Sequence, residues 1–325
     1  MNGLIRPSLI EEAPEWEKRF RNAQPFRHFV IDNFLTPEFC DQLRRDFPVF
    51  DAKQALNEFG EVGGKAVVEK LPNISASYKK FDELIQSRQF LGLIGKMTGI
   101  PDLLYDPQYF GGGTHENRSG QDLDIHIDFN YHPVTRTHRR LNLIIFLNPE
   151  WNESWGGCLE LHKNPWGPPE EDQSVSVEPL LNRCVVFETT ENSWHGFRRI
   201  QIPVEKNGLS RRSIAIYFYT KQRPPEETAP GHSTVYVPWR LPDYFQPGMT
   251  LSEADLQTIR VLLRRRDDQI RFLYEREKEF SHGLEFAHGV VNSKAFKVAR
   301  LITAPVRKLK ERLRESDSVP RSHTV

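Results

Sequence analysis

Residues 124–130 read DIHIDFN, with an acid on either side of a histidine inside a strand-like stretch. In an extended chain successive side chains point to opposite faces, so His126 and Asp128 share one face. Such a pair is either a surface salt bridge or two ligands of a metal site. A facial site of two histidines and one carboxylate leaves coordination positions open for other reactants and needs its second histidine from a distant strand. Of the eleven histidines, only His126 is followed two residues later by an acid. The candidate third ligand is His195 in NSWHGF, just beyond the strand-like run CVVFET.

A second constellation sits in RRSIAIYFYT. Read as a strand, one face carries Arg211, Ser213, Ala215 and Tyr217, and the other carries Ile214, Ile216 and Phe218. A cation, a hydroxyl and then a small side chain suit a small dicarboxylate: a guanidinium grips a carboxylate through its planar fork, and Ser213 can add a hydrogen bond. In the competing reading Arg211 is a solvated strand end and Arg212 is the ligand. The alternation of faces favours Arg211.

The elements that must hold these residues fall into three zones, with no internal repeat. Residues 1–100 mix a strand-like run, FRHFVIDNFL, with helical patterns. TPEFCDQLRRDF has a Thr–Pro helix start, and SYKKFDELIQSRQFLGLIGKMTG makes one or two further helices, closed by Gly99 and Pro101. Residues 101–222 carry short β-rich runs (LDIHIDF, LNLIIFLN, GGCLELH, CVVFET, RRSIAIYFYT) separated by Gly, Pro, Asn and Asp, the texture of an all-β sandwich or barrel. Residues 223–325 form a helical extension: a long charged amphipathic helix from LSEADLQ to EKEF, then the basic helix FKVARLITAPVRKLKERLRE.

The whole chain sets bounds on function. Its 325 residues can bury a substantial core. Lys+Arg and Asp+Glu both number 44, so no overall field advertises a nucleic acid or other polyanion. Cys40, Cys158 and Cys184 are odd in number and far apart, which suits a reducing compartment rather than a disulfide framework. The N-terminal stretch lacks an apolar signal-type core, and no run approaches 18 apolar residues, so the sequence reads as soluble and cytoplasmic.

The order H-x-D, LNLIIFLN, WGGCLEL, a strand, His195 and R-x-S resembles the Fe(II)/2-oxoglutarate dioxygenases, in particular the prolyl 4-hydroxylase-like branch. The resemblance spans about residues 105–221, with a weaker echo in FRHFVIDNFLTPEFCDQL. It implies a mainly β core with flanking helices (α+β), folded as a double-stranded β-helix of the jelly-roll or cupin kind. It also implies Fe(II), 2-oxoglutarate and O2 as cofactor and co-substrates, with ascorbate as an accessory reductant. Carried over by position, His126, Asp128 and His195 become the iron ligands and Arg211 the partner of the distal carboxylate of 2-oxoglutarate. Tyr109 in QYFGGGT matches a tyrosine lining the co-substrate pocket. Phe146 falls where relatives carry a tyrosine whose hydroxyl reaches that carboxylate, a departure that Asn142, four residues earlier on the same face, could make good. Asp128 favours hydroxylation, because related halogenases put a small residue there.

Blander readings stand beside these. Tyr109 can anchor a turn, and Gly156-Gly157 makes one with positive φ. His115, His132, His138 and His162 are expected to be surface histidines, Trp155, Trp166 and Trp194 to pack, and THRR (137–140) to be solvated. The basic C-terminal helix could touch an anionic membrane surface weakly, although packing on its own protein is favoured. The substrate is a small molecule or a peptide: peptidyl proline, an amino acid, or a sugar or glycolipid. The rival functions are a non-catalytic cupin-like sensing module and an interaction protein working through its helical tail. The oligomeric state is not legible.

Overall fold

The computed structural model describes residues 3–50, 66–296 and 298–299. The chain divides into two compact units, Met1–Arg240 and Leu241–Val325.

The first unit is built on two antiparallel sheets, as expected for a double-stranded β-helix. The major sheet runs β1 (His28–Ile31), β8 (Cys184–Glu188), β5 (His138–Phe146), β10 (Arg211–Thr220), β3 (Gly113–Asn117) and β2 (Ala66–Val68). The minor sheet runs β11 (Val235–Val237), β4 (Leu123–Ile127), β9 (Trp194–Phe197), β6 (Leu159–His162) and β7 (Ser174–Val177). Strands 4, 5, 6, 8 and 10 coincide with the β-rich runs of the sequence. β5 begins three residues before LNLIIF, and that extension matters below.

Helices back the major sheet. α1 (Leu9–Asn22), α2 (Pro37–Arg45), α3 (Ala76–Ile85) and α4 (Arg88–Thr98) share one apolar core with Leu141, Leu143, Ile145, Ile214, Ile216 and Phe218, the outward face of β5 and β10. The helical run 77–99 breaks in two because Ser87 caps a new helix, its hydroxyl accepting from the Phe90 amide (3.2 Å). Gly99, at φ +71°, ends it. The inward faces of the two sheets enclose a second, smaller core that includes Phe146, Leu159, Leu161, Val185 and Phe187.

In the second unit, α5 (Glu253–Asn292) is longer than the sequence pattern required. It opens on a capping box in which Ser252 and Asp255 each satisfy the other's backbone amide. Most of the basic run 296–315 lies outside the described residues. Among the described residues, no helix is long and apolar enough to cross a membrane.

Candidate metal and co-substrate site

Strands β4 and β9 pair antiparallel with His126 opposite His195, which brings the two imidazoles to 4.3 Å between centroids. Asp128 follows one residue after β4. Its Oδ1 lies 3.8 Å from His126 Nε2 and its Oδ2 lies 3.6 Å from His195 Nε2. One ligand atom from each of the three residues falls within 4.8 Å of the others, and all three are buried. The Nδ1 atom of each histidine is taken by a carbonyl two residues upstream: Asp124 O for His126 (2.8 Å) and Ser193 O for His195 (2.9 Å). Each Nδ1 therefore carries the proton, and each Nε2 turns its lone pair to the common point, as metal-binding imidazoles are held.

A feature absent from the sequence reading completes this centre. Arg139 was expected in a solvated run, but it is 1% exposed. Its Nη2 lies 3.0 Å from Asp128 Oδ2, and its plane stacks between Tyr217 (3.6 Å) and Phe129 (4.5 Å). Asn142 donates from Nδ2 to Asp128 Oδ2 (2.7 Å) and accepts at Oδ1 from Arg139 (2.8 and 3.1 Å). Burial pushes the Asp128 carboxyl up, but Arg139, helped by the Asn142 hydrogen bond, outweighs it and holds the group well below the usual carboxylate range. Arg140, on the other face of β5, is also buried and pairs with Glu188 (3.1 Å). The two arginines of the run are buried because β5 extends back to His138 and lies in the interior of its sheet.

Arg211 occupies the opposite end of the same cavity. It is 4% exposed. Its Nε donates to Gly157 O (2.6 Å), and its guanidinium lies over Phe197 (4.3 Å) and Phe146 (5.0 Å). Among the described residues no carboxylate pairs with it, and burial pulls its pKa down to about 10. Gly157 sits at φ +70°, where a Cβ would meet the Trp151 ring at 2.9 Å, so glycine is needed for this carbonyl to reach the arginine. Arg212 points to the other face and pairs with Glu116 (3.2 Å).

The cavity, about 200 Å3, is lined by His126, Asp128, His195, Arg211, Ser213 and Asn142 among others. Three expected details change. Tyr109 faces the helical layer instead of this lining: its hydroxyl donates to Asp82 (2.6 Å), beside the Tyr105–Asp82 bond, because its φ of +54° turns it away before β3 begins. Asn142 lines the cavity, but its amide is committed to Asp128 and Arg139 rather than to the Arg211 end. Phe146, placed by the resemblance at the co-substrate carboxylate, is fully buried outside that lining, and its ring face supports the Arg211 guanidinium.

Three of the four histidines expected at the surface are also inside, and His138 is half-buried. His115 lines the cavity. His132 accepts at Nδ1 from the Val134 and Thr135 amides (3.2 and 3.1 Å). His162 lies between Asp172 (2.7 Å) and Glu160 (3.1 Å). A larger groove of about 1010 Å3, lined by Arg27, Arg140 and Arg223, is an ion-pair network around Glu188 and Glu227, away from the metal-ligating cluster.

The donor set fits a divalent iron: two neutral imidazoles and one carboxylate on one side of a point, with the rest of the cavity open. The buried, unneutralised Arg211 fits the far carboxylate of 2-oxoglutarate.

Residues 112–219 match the family profile of the 2OG-Fe(II) oxygenase superfamily. The mouse (Mus musculus) prolyl 3-hydroxylase OGFOD1 is 24% identical over 220 residues, covering 63% of this chain and 35% of that protein, so the chain spans about a third of that relative's length. Solved structures similar to this chain include a prolyl hydroxylase from Trichoplax adhaerens in complex with a hypoxia-inducible-factor peptide (17% identity, 66% of this chain and 94% of that one, TM-score 0.45). Another is a Pseudomonas putida prolyl-4-hydroxylase (17% identity, 64% and 100%, TM-score 0.43).

Proposed function

We propose that this chain, a prolyl-hydroxylase-like member of the 2OG-Fe(II) oxygenase superfamily, hydroxylates an unactivated C–H bond on a peptidyl proline. The reaction would convert 2-oxoglutarate and O2 to succinate and CO2. One observation carries the reading: a single cavity holds the His126–Asp128–His195 cluster at one level and an unneutralised buried Arg211 at another. Iron, when bound, supplies the oxygen activation. The chain's own residues bind, orient and shield. His126 and His195 present Nε2 because their Nδ1 protons are committed to carbonyls. Asp128 keeps Oδ1 for the metal while Asn142 and Arg139 hold Oδ2. Arg211 and Ser213 draw the distal carboxylate of 2-oxoglutarate to their end of the cavity, which sets the register of its other end against the metal.

Two observations support a prolyl substrate. The mouse relative is named as a prolyl 3-hydroxylase. Among the described residues the lining holds no carboxylate apart from Asp128, and Phe129, Tyr217 and Tyr236 offer aromatic surface for an uncharged ring. The test is anaerobic addition of Fe(II) and 2-oxoglutarate, read as the weak visible charge-transfer band of the chelate. The band should form in the wild type and vanish in Asp128→Ala. A folded wild type that gives no band, or makes no succinate on admitting air, overturns the reading.

A further inference from the structure

The family match ends at residue 219, yet Thr234 and Tyr236 line the cavity. They arrive on β11, which pairs antiparallel with the ligand strand β4: Val237 opposite Ile125, Tyr236 opposite His126, Val235 opposite Ile127. Thr234 and Tyr236 are two apart and share the inward face. Val237, on the outward face, packs with Ile125, Ile127 and Trp194.

The register also gives depth. Leu123 lies opposite Phe197, the ring beneath Arg211, so this is the level of buried Arg211. His126 and His195 form the next level, and the Tyr236 ring stands there, 5.4 Å from the His126 imidazole. Continuing the pairing by one step puts Thr234 at the level of Asp128, on the other side of the histidine level from Arg211. Both residues therefore lie at or beyond the metal level, away from Arg211.

The segment that brings them is fastened at several points. Buried Asn130 donates to Pro230 O (2.8 Å) and accepts from the His232 amide (3.0 Å). The Tyr131 hydroxyl donates to Ala229 O (3.3 Å), and His232 Nε2 meets Glu191 Oε1 (3.0 Å). A strand pinned in this way holds its side chains in one place, as discrimination requires.

The geometry points to Thr234 and Tyr236 as specificity-determining residues: β11 is the substrate-side wall, and it admits a small uncharged group while excluding a bulky or cationic one. This rests on the reading that the cavity holds Fe(II) and 2-oxoglutarate. The Tyr236 ring fixes the width beside His126. A cationic group finds no free counter-ion there, because Asp128, the one carboxylate lining the cavity among the described residues, already serves Arg139.

The first test needs no turnover. Nitration of the full-length protein with tetranitromethane, followed by peptide mapping, should modify Tyr236 in the apo protein and, within twofold, in the presence of Mn(II) and 2-oxoglutarate. Tenfold protection by Mn(II) and 2-oxoglutarate would place the ring in the co-substrate pocket, and no modification in either state would remove it from the open cavity. Either result overturns the proposal. The second test uses capped tripeptides Ala-Xaa-Ala, with Xaa Pro, Lys or Trp, read by mass as hydroxylated product. Wild type should act on Pro alone. Tyr236→Ala should raise KM for the Pro peptide at least tenfold and admit Trp, with 2-oxoglutarate affinity unchanged within twofold, and Tyr236→Phe should restore the wild-type profile. Thr234→Glu should bring Lys into the accepted set. Wild-type action on Lys, action on none of the three, or an unchanged profile in Tyr236→Ala overturns the proposal. Absence of the Fe(II)–2-oxoglutarate band in wild type would instead sink the function proposed above.

Discussion

Two buried arginines face one cavity from its two ends, and their surroundings are opposite. Arg139 is neutralised: Asp128 lies 3.0 Å away, Asn142 accepts from it twice, and two aromatic rings sandwich it. Burial works against its charge, but Asp128 and the neighbouring phenols more than compensate, and its pKa is raised. Arg211 has one carbonyl and two rings, and its pKa falls to about 10. A buried charge without a counter-ion is costly to the folded protein, so the Arg211 end is arranged for an anion that arrives from outside. The Arg139 end is complete within the chain and acts on Asp128. Mutations at the two ends should therefore separate ligand binding from stability.

The largest effect is expected at Asp128, which belongs to both the ligand cluster and the arginine network. Asp128→Ala removes a ligand and strands Arg139, so it should abolish Fe(II) retention and succinate formation, measured by metal analysis after desalting and by 2-oxoglutarate turnover. Wild-type metal content in this variant would dismiss the cluster as a metal site.

Arg211→Ala comes next and should break the symmetry between the two ends. Losing one partner of a buried charge pair costs about 2–5 kcal/mol, or roughly 30- to several-thousand-fold in 2-oxoglutarate affinity. Ligand-free stability should hold or rise, since an uncompensated buried cation is lost. Titration and thermal melting of the same samples check both halves. If Arg212→Ala shows the affinity loss instead, the wrong face of β10 has been assigned.

Arg139→Met should show the opposite balance. It leaves the Asp128 carboxylate short of its partner, an effect of about 3–5 kcal/mol on stability for a broken buried pair. Metal affinity should drop by about 10- to 100-fold, as when a group supporting a ligand is removed. Affinity for 2-oxoglutarate, measured at saturating metal, should change little. A stable Arg139→Met protein with weakened 2-oxoglutarate binding would erase the distinction between the two ends.

The sequence exposed one end better than the other. The alternation His126/Asp128 and Arg211/Ser213 is a period-two signal, and it survived because Arg211 and Ser213 lie within β10 while Asp128 directly follows the end of β4, where His126 lies. Arg139 was hidden because a basic run before an apolar strand looks like a solvated loop; only pairing on both sides shows that β5 extends through it. β3 reads GTHEN and is buried throughout, yet it has no hydrophobic alternation to betray it: His115 and Asn117 face the cavity, while Glu116 pairs with Arg212. β11 has three residues and becomes a strand only by lying beside β4. Tyr109 was misplaced because a left-handed residue before three glycines cannot be distinguished from the first residue of a strand.

The smallest effect tests Asn142 and Phe146, which the sequence placed together on the co-substrate carboxylate. They are four residues apart on β5; Asn142 lies opposite Tyr217 and Phe146 opposite Ser213. Asn142 serves the Asp128 end, whereas Phe146 supports Arg211. Asn142→Ala should cost about 1–3 kcal/mol, the penalty for leaving buried polar groups short of a partner, and the loss should appear in metal affinity and stability. Phe146→Tyr adds a hydroxyl beside Arg211 and should alter 2-oxoglutarate affinity alone. Sites without a shared partner add to within about 0.3–0.5 kcal/mol, so a double-mutant cycle on 2-oxoglutarate affinity should close within that margin. A larger coupling, with Phe146→Tyr rescuing Asn142→Ala, would mean that the two ends act as one carboxylate site and that Asn142 leaves Asp128 when the co-substrate binds.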